Sequence, residues 1–140
     1  MNYGNITSAL SQYKQVSAEG QVAAATPHRL IQMLMDGVME KTTSAKGHML
    51  NKSVAKKGEN LSLAITIIGA LRGSLDKEKG GEIAANLEGL YGYMERRLLE
   101  ANLKNDPAAL DEVMSLMREI RGAWAAIGDT QASLAVAAKK

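Results

Sequence analysis

The chain of 140 residues has a formal net charge of +2, no cysteine and no phenylalanine. This length predicts one domain with a sizeable core, and the absence of cysteine excludes disulfides and thiolate metal sites. Basic and acidic residues are mixed throughout, so the charge gives no reason to expect a nucleic-acid partner. No uncharged apolar run approaches the roughly 20 residues of a membrane span, and neither a signal-peptide pattern nor strand-like alternation is visible. We therefore expect a soluble, cytoplasmic, helical protein.

Residues 1–25 form a weakly patterned N-terminal segment. Ile6, Leu10 and Tyr13 are spaced by four and then three residues, which is enough for two short helical turns. Two glycines and a polar setting prevent a longer helix, and so few apolar residues do not make a short helix stable alone. The segment is either a frayed terminus or a mobile arm whose apolar side chains dock elsewhere.

Two long helices are predicted to follow this segment. The first begins with an N-cap at Thr26 and a proline at Pro27, whose missing amide hydrogen is no loss at the first helical position. It ends near Asn51, and the second helix is predicted from Ser53 to Leu75. The residues expected on the buried face of the first helix are Ile31, Leu34, Met35, Val38, Thr42, Ala45 and Met49. Those expected on the buried face of the second helix are Val54, Leu61, Ala64, Ile65, Ile68, Leu71 and Leu75.

Two further helices are predicted in the second half of the chain. The third occupies the stretch from Gly81 to Asp106, and the fourth starts at the cap-plus-proline pair Asp106-Pro107 and stops at Gly128. Apolar residues recur every three or four positions in both, which places them on one stripe of each helix. The stripe of the third helix consists of Ile83, Leu87, Leu90, Met94, Leu98 and Ala101. The stripe of the fourth is a heptad seam of Leu110, Val113, Met117, Ile120, Trp124 and Ile127.

Four helices of similar length joined by short turns predict an all-α, antiparallel four-helix bundle with a short, mobile N-terminal arm. Residues 1–140 are interpreted as a single domain, in which residues 1–25 are the arm, 26–128 the bundle and 129–140 a loose tail. The stripes of the third and fourth helices are expected to pack on each other. The residues expected to be buried together there are Ile83, Leu87, Leu90, Met94, Leu98, Val113, Met117, Ile120 and Trp124.

No group of residues indicates catalysis, a metal or a cofactor. Di-iron sites in four-helix bundles need Glu-x-x-His pairs, which this chain lacks. His28 and His48 lie near opposite ends of one predicted helix and cannot share a ligand. Asp36 is the one acid inside an apolar stretch, and no nucleophile or second base lies near it in sequence. We therefore expect a protein that is not an enzyme and uses no cofactor.

Several apolar side chains are predicted to lie off the main stripes of their helices. Leu63 and Ile67 form one such pair, and Leu99 and Leu103 form another. The members of each pair are four residues apart and so share one side of their helix. Two explanations fit this pattern: another part of the chain covers the pairs, or they bind a partner.

Tyrosine and methionine usage also bears on recognition. Tyr91 and Tyr93 are two residues apart and project to different sides of a helix, so one can close the core while the other reaches the surface. A rigid ring with a hydrated hydroxyl suits protein recognition, and two partly buried tyrosines are the alternative. The eight methionines are typical of grooves that accept a partner helix, although methionine also fills ordinary cores.

Five sequence blocks stand out along the chain. The strongest is residues 90–102, LYGYMERRLLEAN, and two others are residues 25–37, ATPHRLIQMLMDG, and 80–87, GGEIAANL. The remaining two are the arm sequence YKQVS at residues 13–17 and the RGAW run at residues 121–124. In these blocks, and over nearly its whole length, the chain resembles the FliS family of flagellin-specific secretion chaperones. Met35 departs from the pattern, because many members have an aromatic residue before Asp-Gly, and this implies a softer contact there.

The resemblance implies a cytoplasmic chaperone that binds the disordered C-terminal segment of flagellin and prevents premature polymerisation. It also implies delivery of flagellin to FlhA, the export gate protein of the flagellar type III pathway, and in some members binding of the anti-sigma factor FlgM. The flagellin segment would wrap around the bundle, and the arm would cover part of that surface in the free state. A helical adaptor or chaperone for a different secreted or regulatory protein is the alternative.

The resemblance also assigns a role to the arm. Leu10 and Tyr13 match positions that help the loaded complex engage the export gate. The partner-binding residues predicted from pattern and resemblance together are Leu10, Tyr13, Leu63, Ile67, Tyr91, Tyr93, Leu99 and Leu103.

Overall fold

A computed structural model describes residues 26–128 of the chain. Within this range the chain forms four α-helices, and no strand is present. The helices are α1, Pro27–Leu50; α2, Val54–Gly73; α3, Lys77–Lys104; and α4, Pro107–Ile127. Each helix packs on two others, in the cyclic order α1, α2, α3, α4, and short turns make neighbours antiparallel. The predicted four-helix bundle is thereby confirmed, whereas Leu10 and Tyr13 lie outside the described residues.

Side-chain caps fix where three of the helices begin. The Thr26 hydroxyl accepts a hydrogen bond from the Arg29 amide at 3.1 Å, and Asp106 Oδ1 accepts one from the Ala108 amide at 3.0 Å, each before a proline as predicted. The start of α3 differs from the prediction, because Asp76 caps this helix by accepting from the Lys79 amide at 3.1 Å. These polar side chains satisfy amide groups that have no partner inside a helix.

Gly81 marks a kink in α3 and not its beginning. Its φ of 52° and ψ of −127° interrupt the helical conformation one turn after the start. A residue with a side chain is strained at such a positive φ, and glycine adopts it readily. The first turn of α3 is therefore set at an angle to the rest of the helix, next to Ile83.

The core lies along the bundle axis and draws on all four helices. Its fully enclosed large side chains include Leu34 and Met35 of α1, Ile68 and Leu71 of α2, Met94 and Leu98 of α3, and Leu110 of α4. Val113, Met117 and Trp124 are buried on α4 as predicted. Since burial of apolar surface stabilises a fold by about 25 cal/mol per Å², this shared core holds the four helices together.

Three residues predicted to be buried are exposed. Ile83 is 62% exposed, Leu90 lies at the surface, and Val54 is 69% exposed. Leu87 and Ile120 are only half-buried, although both pack against the core. Val54 is uncovered because it is the first residue of α2, at the very end of the bundle. Ile83 and Leu90 lie on the N-terminal half of α3, where α4 does not cover the predicted stripe.

A buried lysine joins α2 to the end of α3. The side chain of Lys57 is enclosed, and its Nζ donates to the Asn102 carbonyl at 3.0 Å and to Asn105 Oδ1 at 2.6 Å. A cation at this position complements the carbonyl groups left unpaired at a helix C-terminus. Periodicity did not predict this contact, because it assigned position 57 to no apolar stripe.

Thr42 offers a test of core packing. Its side chain is fully buried, and its hydroxyl is the one buried side-chain polar atom without a partner within residues 26–128. Replacing Thr42 with the isosteric Val is expected to raise the free energy of unfolding by about 1 kcal/mol, because an unsatisfied buried hydroxyl is removed. Thr66→Val is the matched control for urea denaturation, since Thr66 of α2 is exposed and its substitution should change stability little. A loss of stability in Thr42→Val would show that the hydroxyl makes a useful hydrogen bond.

Candidate partner-binding groove

An apolar groove opens between the N-terminal half of α3 and the C-terminal half of α4. It encloses a cavity of about 280 Å³. Ile83 and Leu87 of α3 form one wall, and Ile120, Ala123 and Ile127 of α4 form the other. We call this feature the α3–α4 groove. Apart from Ala123, the wall residues belong to the apolar stripes that the sequence pattern assigned to the core.

The floor of the α3–α4 groove is the bundle core itself. It is lined by Ile31 and Met35 of α1, Leu71 of α2, Leu75 in the turn that follows α2, and the ring of Tyr91. All five are buried. Burial raises the pKa of the Tyr91 hydroxyl well above its ordinary value, so this group stays protonated. A rigid floor with half-exposed walls can receive the apolar face of a helix without a rearrangement of the core.

A polar network closes the other half of the α3–α4 interface. Tyr93 Oη donates to Glu112 Oε2 at 2.7 Å, and Arg97 Nε donates to Glu112 Oε1 at 2.7 Å. Arg97 also pairs with Glu100 on its own helix. The hydrogen bonds from Tyr93 and Arg97 hold the pKa of Glu112 below its usual range. These contacts join the C-terminal half of α3 to α4. Within residues 26–128, no hydrogen bond or ion pair joins the two helices beside Ile83 and Leu87.

Trp124 is fixed at the edge of the groove by reciprocal bonds to α1. Its indole Nε1–H donates to the His28 carbonyl at 2.9 Å, and His28 Nε2 lies 2.7 Å from the Trp124 carbonyl. Because a carbonyl only accepts, Nε2 carries the proton and donates it. The two rings stack with their centroids 4.8 Å apart. Together these contacts tie the first turn of α1 to the last turn of α4.

The described partner-binding candidates fall into three groups by exposure: buried, half-buried and exposed. The buried ones are Ile67 and Tyr91, the half-buried ones are Leu63 and Tyr93, and the exposed ones are Leu99 and Leu103. Ile67 is 1% exposed and belongs to the core, so for this residue cover by another part of the chain, one of the two explanations given above, applies. The physical reason is that α2 packs on both α1 and α3, so two sides of this helix are covered. Leu63 is half-buried. Tyr91 is also buried. A partner could reach it only through the α3–α4 groove, whose floor it lines.

Tyr93, Leu99 and Leu103 lie towards the surface, and Leu10 and Tyr13 lie outside the described residues. Tyr93 is half-buried, with its hydroxyl engaged by Glu112. Leu99 and Leu103 are 54% and 76% exposed, so the expected second apolar patch of α3 exists. They are not among the residues that line the α3–α4 groove. The structure therefore gives two separate apolar surfaces on α3, and contact of either with a partner stays a prediction.

Sequence reasoning missed the walls of the groove. Ile83, Leu87, Ile120, Ala123 and Ile127 line it, and none was proposed as a partner-binding residue. Their helical spacing is the same for a covered stripe and for an open one, so periodicity could not separate the two. The only local signal was the Gly80-Gly81 pair just before Ile83, which interrupts the helix at that wall.

Exposed Leu99 can be tested for a role in binding. Leu99→Glu is expected to leave the free energy of unfolding within about 0.5 kcal/mol of its original value, because exposed positions tolerate substitution. If the patch contacts a client, binding should weaken by about three- to tenfold as an apolar contact is lost. Calorimetric titration with the client and urea denaturation give the two values. A large loss of stability, with normal affinity of the folded fraction, would assign Leu99 to the core.

The class of protein follows from this geometry. An antiparallel helical bundle with an open apolar groove and an exposed second patch is a binding module for a helical or unfolded segment. Within residues 26–128, no cluster of three or more metal-binding side chains is present. In the same range, none of the helices has the length and apolar character required to cross a membrane.

Comparison with known proteins gives the family. The model of the family described as Flagellar protein FliS matches residues 9–131. The chain is 51% identical over 116 residues to flagellar secretion chaperone FliSB of Pseudomonas aeruginosa, covering 83% of this chain and 92% of that one. It is 50% identical over 118 residues to flagellar secretion chaperone FliS of Salmonella typhimurium, covering 84% and 87%. The protein from Vibrio cholerae is 45% identical over 116 residues, covering 83% and 85%.

The chain therefore belongs to the FliS family and is a flagellar secretion chaperone. This confirms the resemblance seen in the sequence blocks and the expectation that the protein is not an enzyme. The same matches favour a flagellar export chaperone over the alternative given above, a helical adaptor or chaperone for a different secreted or regulatory protein.

Proposed function

We propose that this chaperone works in the cytosol, where it binds the disordered C-terminal segment of flagellin and holds it until export. The supporting observation is the α3–α4 groove, which presents apolar walls above a rigid, fully packed floor. Ile83 is the residue that most favours a bound partner. Its large apolar side chain is 62% exposed beside the cavity, and covering it with an apolar partner would be energetically favourable.

The chemistry of the groove favours an amphipathic segment that becomes helical when bound. Such a segment places apolar side chains at positions i, i+3, i+4 and i+7 on one face. The groove offers apolar surface from Ile83 and Leu87 on one side and from Ile120 and Ile127 on the other. Ordering a disordered segment costs about 2–5 kcal/mol of the gross interaction energy, so a tight complex requires more contact than this groove alone.

The patch at Leu99 and Leu103 is a candidate for that additional contact. It lies on the C-terminal half of α3, whereas the groove walls lie on the N-terminal half. A segment that reaches both surfaces has to run along the bundle over several helical turns. This extended path agrees with the wrapping that the family resemblance implies, and it links two apolar surfaces that are too small to bind tightly alone.

Calorimetry with two forms of flagellin tests the proposed function. Full-length flagellin is expected to bind the chaperone, and flagellin that lacks its C-terminal segment is expected not to bind. An isolated peptide of the C-terminal segment should restore binding and gain helical circular dichroism when mixed with the chaperone. Equal binding of the two flagellin forms would contradict the proposal.

Delivery to the cytoplasmic domain of FlhA is the second part of the proposal, and it assigns Leu10 and Tyr13 to the gate contact. Changing both to Ala is expected to leave flagellin affinity within about twofold, because the client surface lies on the bundle. Binding of the loaded complex to the gate domain and cell motility should both fall. The control is the double change of Gln12 and Gln15 to Ala in the same segment. Unchanged gate binding by the Leu10/Tyr13 variant would contradict the gate contact, and the arm would then serve only to cover the bundle surface.

FlgM is proposed as a further partner at the same surface. If it binds the α3–α4 groove, FlgM and the flagellin peptide should compete, and saturating peptide should abolish FlgM binding. Simultaneous binding of both would place FlgM on another surface.

A further inference from the structure

Glu119 brings a charge to the rim of the otherwise apolar α3–α4 groove. The only other non-aromatic polar side chain in the lining is Ser74, whose hydroxyl donates to the Leu71 carbonyl at 2.7 Å. Glu119 is exposed, and within residues 26–128 its carboxylate has no hydrogen bond or ion pair. Among the described residues, no side chain pairs with this negative charge at the rim of the groove.

Glu119 repeats the position of Glu112 along α4. The two are seven residues apart in sequence, about two helical turns, so they project from nearly the same side of the helix. Glu112 faces α3, where Tyr93 and Arg97 each donate to it at 2.7 Å. The α3-facing edge of α4 thus carries two carboxylates, and α3 provides a cation for the first.

For the second carboxylate, α3 has no equivalent cation. Because α3 runs antiparallel to α4, two turns from Tyr93 and Arg97 towards the N-terminus of α3 lead to Asn86 and Leu90. Both are exposed, and neither is charged. Lys77, further back, is engaged by Glu88 at 3.1 Å. Arg97 therefore occupies the position on α3 opposite Glu112, and no charged side chain of α3 occupies the corresponding position opposite Glu119.

We propose that Glu119 selects client segments that carry Lys or Arg on the flank of their apolar face. The client cation takes at Glu119 the place that Arg97 takes at Glu112. This inference rests on the proposed function, since it concerns the client of the same groove. The aliphatic part of such a side chain can lie on Ile120 and Ala123 while its charged end reaches the carboxylate. Covering the groove removes water from this pair and strengthens it.

Charge reversal in the full-length chain tests the inference. The probe is a synthetic peptide of the C-terminal segment of the flagellin from the same bacterium. Glu119→Lys is expected to weaken peptide binding by about tenfold, in the range for a charge-assisted bond. The matched control is Glu59→Lys, which makes the same change of net charge at an exposed position of α2 outside the groove. It should change affinity by less than about twofold, because separated surface charges are screened by salt.

Peptide variants then identify the partner of Glu119. Each Lys or Arg of the peptide is changed in turn to Glu. One such peptide should bind the original chain weakly and bind Glu119→Lys with affinity restored by about tenfold or more, while Glu59→Lys gives no restoration. Circular dichroism melting of each protein variant confirms that the bundle is intact.

The outcomes separate the two proposals. Peptide binding that responds equally to Glu119→Lys and Glu59→Lys, or that no peptide charge reversal restores, overturns the role of Glu119 alone. Absence of binding between the unmodified chain and the peptide overturns the proposed function and this inference with it.

Discussion

Replacing Ile83 with Asp is expected to weaken binding of the flagellin C-terminal segment by about 10- to 100-fold. Removing a large apolar anchor loses roughly 1.5–3 kcal/mol of burial, and covering a carboxylate without a partner adds a further penalty. Folding should change little, because Ile83 is 62% exposed in the free chain. Calorimetric titration gives the affinity, and urea denaturation gives the free energy of unfolding.

Leu50 provides a closely matched control for this experiment. It is 63% exposed, almost the same as Ile83, but it ends α1 at the opposite end of the bundle from the groove. Leu50→Asp should leave affinity nearly unchanged and lower the free energy of unfolding by no more than about 1 kcal/mol, because a carboxylate at the C-terminal end of a helix opposes the helix dipole. Equal weakening by the two substitutions would mean that the client responds to surface charge and not to the α3–α4 groove.

Replacing Leu98 with Ala is expected to lower the free energy of unfolding by about 2–5 kcal/mol, through lost burial and the cavity that remains. Leu98 has no exposed surface and lies in the shared core. Leu87→Ala is the informative comparison, because Leu87 is half-buried at the groove wall. It should cost about 1 kcal/mol or less in stability but weaken client binding. Urea denaturation of both variants, with titration of Leu87→Ala, measures these effects.

The opposite ranking would revise the assignment of core and groove. If Leu87→Ala destabilises the chain more than Leu98→Ala, the N-terminal half of α3 is held more tightly than its open wall implies. If Leu87→Ala leaves affinity unchanged, the client does not contact that wall.

Much of the fold was predictable because helix signals are local. Thr26 and Asp106 each precede a proline, and the hydrogen bonds that cap α1 and α4 form within three residues of them. The seam on α4 is also confirmed, with Val113, Met117 and Trp124 buried. The start of α3 at Asp76 was missed because Gly80 and Gly81 resemble the end of a turn, although one helical turn precedes them.

The candidate site was less predictable than the fold. Leu99 and Leu103 were expected to form an exposed patch, and they are exposed. Ile67 was proposed as a partner contact, with cover by another part of the chain left open, and it lies in the core. Ile83 was expected in the core and lines the groove. Both differences have one cause: burial depends on how a neighbouring helix covers the residue, and not on the pattern of its own helix.

The sequence by itself determined four helices, most of their ends, their antiparallel order and, through its ordered blocks, the FliS family. Only the tertiary structure decided which apolar stripes are covered and that Lys57 caps the end of α3. It also decided that Glu112 has a cation partner, whereas Glu119 has none among residues 26–128. Periodicity fixes the direction of a side chain relative to the axis of its own helix. It carries no information on the distance to the next helix, and that distance separates a core from a groove.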